Sequence, residues 1–297
     1  MARILAISSQ VARGNVGLSI IVPALQALGH EVIALPTVML SNHPGHPLVA
    51  GTLMEPNVLH NMLDALAANG WLAGLDGVLT GYLPSAEHVA FASAAVRRTR
   101  AATPHKPLTY LCDPVLGDDP KGLYIDEAAA RAIRAQLIPL ADIATPNRFE
   151  LSYLNSTAGA VDIGSHEDAL RFHLDCTTTI ATSIPSFASG ETMNVLYSAG
   201  ATALTRVTLR KDAPHGTGDL FSALVLSAAL GGAEMFDVLS SATAGVDAVL
   251  AASTGRDELN ISALPRSRGP ALAWPVAEVF GDPATGWVVR SPWLPQN

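Results

Sequence analysis

Pro214-His215-Gly216-Thr217-Gly218-Asp219-Leu220-Phe221 sets two glycines around a threonine, then an aspartate, then an apolar run of good helix formers to Leu230. Such a pattern is a loop feeding a helix N-terminus, where backbone N–H groups lack internal partners and the macrodipole adds partial positive charge. Glycine lets the backbone come close to a ligand, so the stretch suits an anion, most often a phosphate. An aspartate that only bound phosphate would repel it. Asp219 fits instead as a base that takes the proton of a hydroxyl attacking beside the phosphate. The same residues also suit a plain helix start, with Thr217 or Asp219 as its N-cap.

The acids elsewhere need elements to position them. Ile4 to Ser8 reads as a first strand, followed by a polar, glycine-bearing loop and a helix over Leu18–Leu28 that closes at Gly29. Pro23 predicts a late start or a kink in that helix. Glu31 to Pro36 is a second strand, and strand–loop–helix–strand order opens a parallel α/β sheet. Ligands of such sheets sit beyond the carboxyl ends of the strands, which puts Ser9 and the Gly14–Gly17 loop on the ligand side. Further strands are expected at Gly77–Thr80, ending in Gly81-Tyr82, and at Leu108–Cys112, ending in Asp113-Pro114. Another is expected at Leu140–Ala144, leading to Thr145-Pro146-Asn147-Arg148-Phe149-Glu150. Carboxylates at two strand ends, Asp113 and Glu150, are what a hydrated Mg²⁺ with a nucleotide would need. Asn147 and Glu150 equally have the spacing of a capping box.

Between these strands, helices are expected over Asn57–Asn69, Pro84–Arg100 and His166–Leu174, with one starting after Asp126. The connection Leu116–Gly122 is polar and glycine-flanked and reads as a lid. Met39–Gly51, with Pro44, Gly45 and Pro47, reads as a loop or flap. Its His43 and His46 lack a third ligand to complete a metal site. Thr177–Ala181 is a β-branched strand ending in Thr182-Ser183. Asn194–Ser198 and Ala201–Leu209 form a hairpin, and a last helix spans about Ala233–Ala252. The proline-rich tail from Asn260, holding Trp274, Trp287 and Trp293, gives turns or short strands. No internal repeat or linker is visible, which favours one domain.

Composition removes several function classes. The 297 residues are 49% hydrophobic and 15% charged, the balance of a soluble globular chain with a large core. A net charge of −8 argues against a nucleic-acid partner. No uninterrupted apolar run reaches the roughly 18 residues of a bilayer span, and Met1–Ile7 is too short for a signal peptide. Cys112 and Cys176 have no CxxC or Cys/His spacing and read as reduced core residues of a cytoplasmic protein. There is no G-x-x-x-x-G-K-[ST], no HRD or DFG set, no G-x-S-x-G, and no G-x-G-x-x-G after the first strand.

Gly216-Thr217-Gly218-Asp219 taken with Asp113-Pro114-Val115-Leu116-Gly117-Asp118, Thr145-Pro146-Asn147-Arg148-Phe149-Glu150 and Thr182-Ser183 resembles the pyridoxal kinases of the ribokinase superfamily. Arg13-Gly14-Asn15-Val16-Gly17, Ser41-Asn42-His43 and Thr80-Gly81-Tyr82 extend the resemblance, which runs from Ile4 to about Ala252 and leaves the tail after about residue 255 uncovered. It implies a single ribokinase-like α/β domain with a central, mostly parallel sheet flanked by helices on both faces. It implies phosphorylation of the 5′-hydroxymethyl group of pyridoxal by ATP, with Mg²⁺ and a monovalent cation, in a homodimer. By resemblance, Asp219 deprotonates the substrate hydroxyl, and Gly216, Thr217 and Gly218 form the anion hole. Asp113, Asp118 and Glu150 organise metal ions. Thr145, Asn147, Thr182 and Ser183 contact the nucleotide, and Tyr124 closes over the site. Ser9, Val16, His43 and Tyr82 hold the pyridine ring.

The chain departs from the family pattern at the vitamin end. Pro44 stands where a threonine is usual, Ser8-Ser9-Gln10 replaces Gln-Ser-His, and Asn15 stands where a different small or aromatic residue is often seen. Two rivals follow. One is a hydroxymethylpyrimidine kinase, a family that usually carries cysteine where Asp219 stands. The other is a non-catalytic pyridoxal-phosphate binding protein on the same fold, which would have no use for a base beside an anion site.

Overall fold

The computed structural model describes residues 1–156, 161–210, 212–264 and 280–281. In chain order the elements are β1 (Arg3–Val11), α1 (Leu18–Ala27), β2 (Glu31–Leu40), β3 (Gly51–Leu53), α2 (Pro56–Ala68), β4 (Gly77–Thr80) and α3 (Ala86–Ala102). Then come β5 (Thr109–Cys112), the short hairpin β6 (Gly117–Asp118) and β7 (Gly122–Leu123), α4 (Glu127–Ala132), β8 (Ile143–Ala144), α5 (Arg148–Asn155) and α6 (His166–Arg171). The last are β9 (Thr178–Pro185), β10 (Glu191–Ser198), β11 (Ala201–Thr208), α7 (Thr217–Leu230), α8 (Met235–Ala252) and β12 (Phe280–Gly281).

Ten strands form one sheet in the order β12-β11-β10-β9-β8-β5-β4-β1-β2-β3. The run from β9 through β8, β5, β4 and β1 to β2 is parallel throughout, and antiparallel strands extend it at both edges. The central strands are apolar at nearly every position because both faces are covered. In β1, Leu5 and Ile7 enter the core under α2 and α3, while Ile4 and Ala6 enter the one under α1, α7 and α8, the period-two alternation of a strand. The sheet is thus the mostly parallel, doubly covered one expected.

Element boundaries moved where tertiary contacts outweighed local pattern. Strand β2 runs on to Leu40 because it pairs with the far end of β1 and with β3. Pro23 neither delays nor breaks α1, which starts at Leu18. Helix α8 is long and apolar enough to cross a bilayer by length and composition, yet its Val238, Leu239, Ala242 and Val249 are buried in the sheet's core, and it is read as a core helix. Both cysteines are free, Cys112 being buried. The tryptophans of the tail and Gly159 lie outside the described residues.

Candidate active site

Four parallel strands deliver their carboxyl ends to one rim, β1 at Ser8–Val11, β4 at Gly81-Tyr82, β5 at Asp113 and β8 at Thr145–Asn147, and β9 passes the same rim at Thr182. Helix α7 begins over this rim. Gly216 is its N-cap at φ 97°, with no side-chain cap, so neither Thr217 nor Asp219 caps it. The first helical bond runs from Leu220 N–H to the Gly216 carbonyl at 3.0 Å. The amides of Thr217, Gly218 and Asp219 therefore precede the helical ladder and are available to an anion.

Asp219 lies in this first turn, partly buried. Loss of hydration pushes its carboxyl up to about 6, against an N–H donated by Gly17 that holds it down. A Cβ on Gly81 would meet Ser8 Oγ at 2.5 Å and Asp219 Oδ1 at 3.9 Å, so the β4 end passes directly beside the aspartate. Ser8 Oγ accepts the Tyr82 N–H at 3.1 Å, and Thr37 Oγ1 donates to the Tyr82 carbonyl at 2.7 Å. This fixes the turn that carries Tyr82. Val16 is buried and Ser9 partly so. A Cβ on Gly17 would stand 2.3 Å from both the carbonyl and the hydroxyl oxygen of Ser9.

Asp113 is buried and accepts from Ser222 Oγ at 2.9 Å, and Ser222 Oγ also meets Thr145 Oγ1 at 2.8 Å. Burial, then the charges of Glu150 and Asp219, push the Asp113 carboxyl well above the usual range. Val115 donates its N–H to Asp113 from a backbone at φ 44°. A β-branched residue there carries strain of about 1–3 kcal/mol.

Glu150 closes the expected capping box with Asn147. Its Oε1 accepts the Leu116 N–H and its Oε2 the Asn147 N–H, each at 2.8 Å, and the Gly117 N–H adds a third donor. Burial nonetheless outweighs these donors and pushes the carboxyl up to about 7. Asn147 also donates from Nδ2 to the Gly117 carbonyl at 2.8 Å, so Glu150 and Asn147 together anchor the base of the β6–β7 hairpin. Asp118 is exposed on that hairpin. It accepts the Tyr124 hydroxyl, whose pKa burial and the nearby acids raise to about 12.

The expected residues are not all gathered equally. Asp113 is near enough to Glu150 and to Asp219 for both charges to raise its carboxyl. Thr145 is buried with its hydroxyl turned to Ser222. Thr182 bridges to Asn147, and Ser183 is exposed at φ 59°. Among the described residues no three His, Cys, Asp or Glu side chains form a metal cage. The buried carboxylates Asp113 and Glu150, close enough for Glu150 to raise the Asp113 carboxyl, still fit a hydrated divalent cation, since Mg²⁺ uses one or two protein carboxylates and keeps waters.

Ser222 and His215 escaped the sequence reading. Ser222 was legible as the one hydroxyl three residues after Asp219 in an apolar helix, hence on its face. His215 lies directly before the N-cap, and the flap docks on it: its ring stacks on His43 with centroids 3.9 Å apart at 25°. His43 Nδ1 accepts the Gly45 N–H at 3.0 Å. Burial, then His215, hold His43 down to about 4, and burial also lowers His215. A histidine pKa below its ordinary value near 6.5 means that the neutral ring is favoured in the folded state. The stack is thus at full strength above about pH 6.5 and weakens as pH falls toward 4. Proton NMR of the two rings checks this: both are expected to titrate below 6.5, and ordinary values would show the flap undocked.

The phosphomethylpyrimidine kinase family pattern matches residues 24–262 of the chain. The pyridoxine/pyridoxal/pyridoxamine kinase of Bordetella avium is 33% identical over 91% of each chain. This chain belongs to the pyridoxal kinase family. Another member, the pyridoxal kinase PdxY of Deinococcus radiodurans, is 44% identical over 151 residues, 51% of this chain and 50% of that one. Among solved structures, the pyridoxal kinase of Leishmania donovani in complex with ADP and pyridoxamine superposes with a TM-score of 0.82 at 29% identity, covering 95% of this chain and 100% of that one. The family match passes the end of α8 and takes in residues 253–262, which the motif resemblance had left uncovered.

Proposed function

We propose that this chain is a kinase that moves the γ-phosphoryl group of ATP to the 5′-hydroxymethyl oxygen of pyridoxal, giving pyridoxal 5′-phosphate and ADP. One observation carries the reading: a partly buried carboxylate, raised to about 6, stands in the first turn of a helix whose leading amides are open to an anion. A base poised near working pH is efficient at proton transfer. In the transfer, Asp219 takes the hydroxyl proton, the freed oxygen attacks the γ-phosphorus, and the bond to ADP breaks. The amides of Thr217, Gly218 and Asp219 face the charge that spreads over the transferring oxygens. Phosphoryl transfer needs such alignment and charge stabilisation more than covalent chemistry. Ser9, Val16, His43 and Tyr82 line the alcohol side. Asn147, Thr182 and Ser183 lie on the nucleotide side, with Thr145 supporting them through Ser222.

Asp113, Asp118 and Glu150 would hold Mg²⁺ entering with the nucleotide, and the ion would supply neutralisation of phosphate charge. A monovalent cation would share the same acidic wall. The reading also takes the chain as one ribokinase-like domain, active in the cytoplasm as a homodimer. Hydroxymethylpyrimidine kinase activity is the second reading, favoured by the family description that matches residues 24–262 and opposed by the carboxylate at Asp219. Turnover with MgATP and pyridoxal, against pyridoxine, pyridoxamine and hydroxymethylpyrimidine in parallel, tests both. Activity on pyridoxal supports the first, and activity on hydroxymethylpyrimidine alone overturns it.

The raised carboxyls give a second test. Their pKa values lie above those of unfolded Asp and Glu near 4, so the ligand-free fold loses stability as pH rises through about 6 for Asp219 and about 7 for Glu150. A bound cation reverses the preference and expels protons. Calorimetric binding of MgADP at pH 6.5 in two buffers of different ionisation enthalpy is expected to show net proton release. Identical heats in both buffers would remove the cation from the acidic wall.

A further inference from the structure

The loop Arg13–Gly17 touches the anion cradle at two points. A Cβ on Gly216 would lie 1.9 Å from the Asn15 carbonyl oxygen, so backbone rests on backbone there. Two residues on, the Gly17 N–H donates to Asp219. The loop is fixed in turn by the segment after α8. Glu258 Oε2 accepts the Asn15 N–H at 3.0 Å, and Asn15 Nδ2 donates to the Leu259 carbonyl at 2.8 Å. Leu259 is buried in the core. Asn260 N–H donates to Ser253 Oγ at 2.8 Å, and Ser253 Oγ to the Val249 carbonyl at 2.6 Å, which ties the segment to the last turn of α8. Arg13 adds ion pairs to Asp257 at 2.5 Å and Glu258 at 3.3 Å, but at the exposed surface.

We propose that Glu258 is a positioning residue for phosphoryl transfer: by gripping the Asn15 N–H it holds the Arg13–Gly17 loop against Gly216 and Asp219. The proposal rests on the kinase reading and on Asp219 as the base. Glu258 touches neither substrate nor the reacting atoms. Its effect reaches the chemistry through two backbone contacts, and misplacement of a reacting group by about 1 Å can lower a rate ~10²-fold. The ion pair with Arg13 is not the working contact, because exposed pairs of this kind contribute little.

Three variants, Glu258→Ala, Glu258→Gln and Arg13→Ala, separate these contributions when kcat, KM and the Kd for MgADP are measured on the full chain. Glu258→Ala is expected to lower kcat roughly 10- to 100-fold, with the Kd for MgADP unchanged. Glu258→Gln keeps an oxygen acceptor for the Asn15 N–H and is expected to restore kcat to within about threefold of the parent. Arg13→Ala is expected to leave kcat unchanged. A parent-like kcat in Glu258→Ala overturns the proposal, as does a Glu258→Gln variant as slow as Glu258→Ala or an Arg13→Ala variant equally slow. If Glu258→Ala fails to fold, the Glu258→Gln and Arg13→Ala pair still decides, through whether kcat follows the acceptor or the charge. Asp219→Asn in the same assay keeps the two readings apart. Its full activity would remove the base, whereas a normal Glu258→Ala beside a dead Asp219→Asn would remove only the brace.

Discussion

Asp219→Asn is expected to abolish turnover, by ~10²–10⁴-fold or more, while MgATP still binds. Asparagine keeps the size of the side chain and an oxygen to accept the Gly17 N–H that now reaches the carboxylate. What it loses is the ability to take a proton. It also removes a buried charge that raises the Asp113 carboxyl, so the fold is expected to hold or gain stability above pH 6, where Asp219 ionises. Loss of rate without loss of stability is the signature of a chemical role rather than a structural one. Parallel measurements of kcat, nucleotide Kd and Tm test it, and near-normal turnover in Asp219→Asn would dismiss the carboxylate as the base.

Gly216→Ala is expected to fail in the opposite manner, through shape. Its backbone sits at φ 97°, in a region that costs an L side chain about 1–2 kcal/mol. Its Cβ would also overlap the Asn15 carbonyl, 1.9 Å away. Since the overlap is with backbone, either the helix start or the Arg13–Gly17 loop must move. A fall in Tm of several degrees is expected, at about 2–4 °C per kcal/mol in a chain of this size class, together with a loss of kcat of the order of 10²-fold. Gly218→Ala is the control. Open space surrounds the Cβ it would add, and its φ is not positive. Alanine there favours the helix by roughly 0.5–1 kcal/mol, so Tm should hold or rise. On the kinase reading that open space receives the phosphoryl group, so turnover should still fall. If Gly216→Ala kept full rate and stability, the close packing of the two loops would not exist in solution.

How far these features were legible varies with the distance over which they act. Strands β4 and β5 were visible in their apolar runs, and the capping box of α5 was visible in the spacing of Asn147 and Glu150, because both are local. The start of α7 was visible as a glycine-bearing loop feeding a helix N-terminus, although its cap proved to be Gly216 rather than a side chain. What could not be read was which partners meet across the sheet. That three backbone N–H groups converge on Glu150 was not legible from its place near a strand end. Nor was the pairing of the Thr145 hydroxyl with Ser222. The His43–His215 stack joins residues far apart in the chain, and no pattern within either segment announces the other. The extension of β2 to Leu40 depends on pairing with β1 and β3 in the same way.

The contacts between Asn15 and residues 258–259 join positions 243 and 244 apart in sequence. A chain emerging from the ribosome forms β1 and the Arg13–Gly17 loop among its earliest segments, and makes their brace among its latest. Until residue 259 is out, the loop lacks its contacts with Glu258 and Leu259, and the core that receives Leu259 stays open. The early and late parts of the chain are thus joined in one unit, and the loop reaches its final contacts only when the segment after α8 has been made.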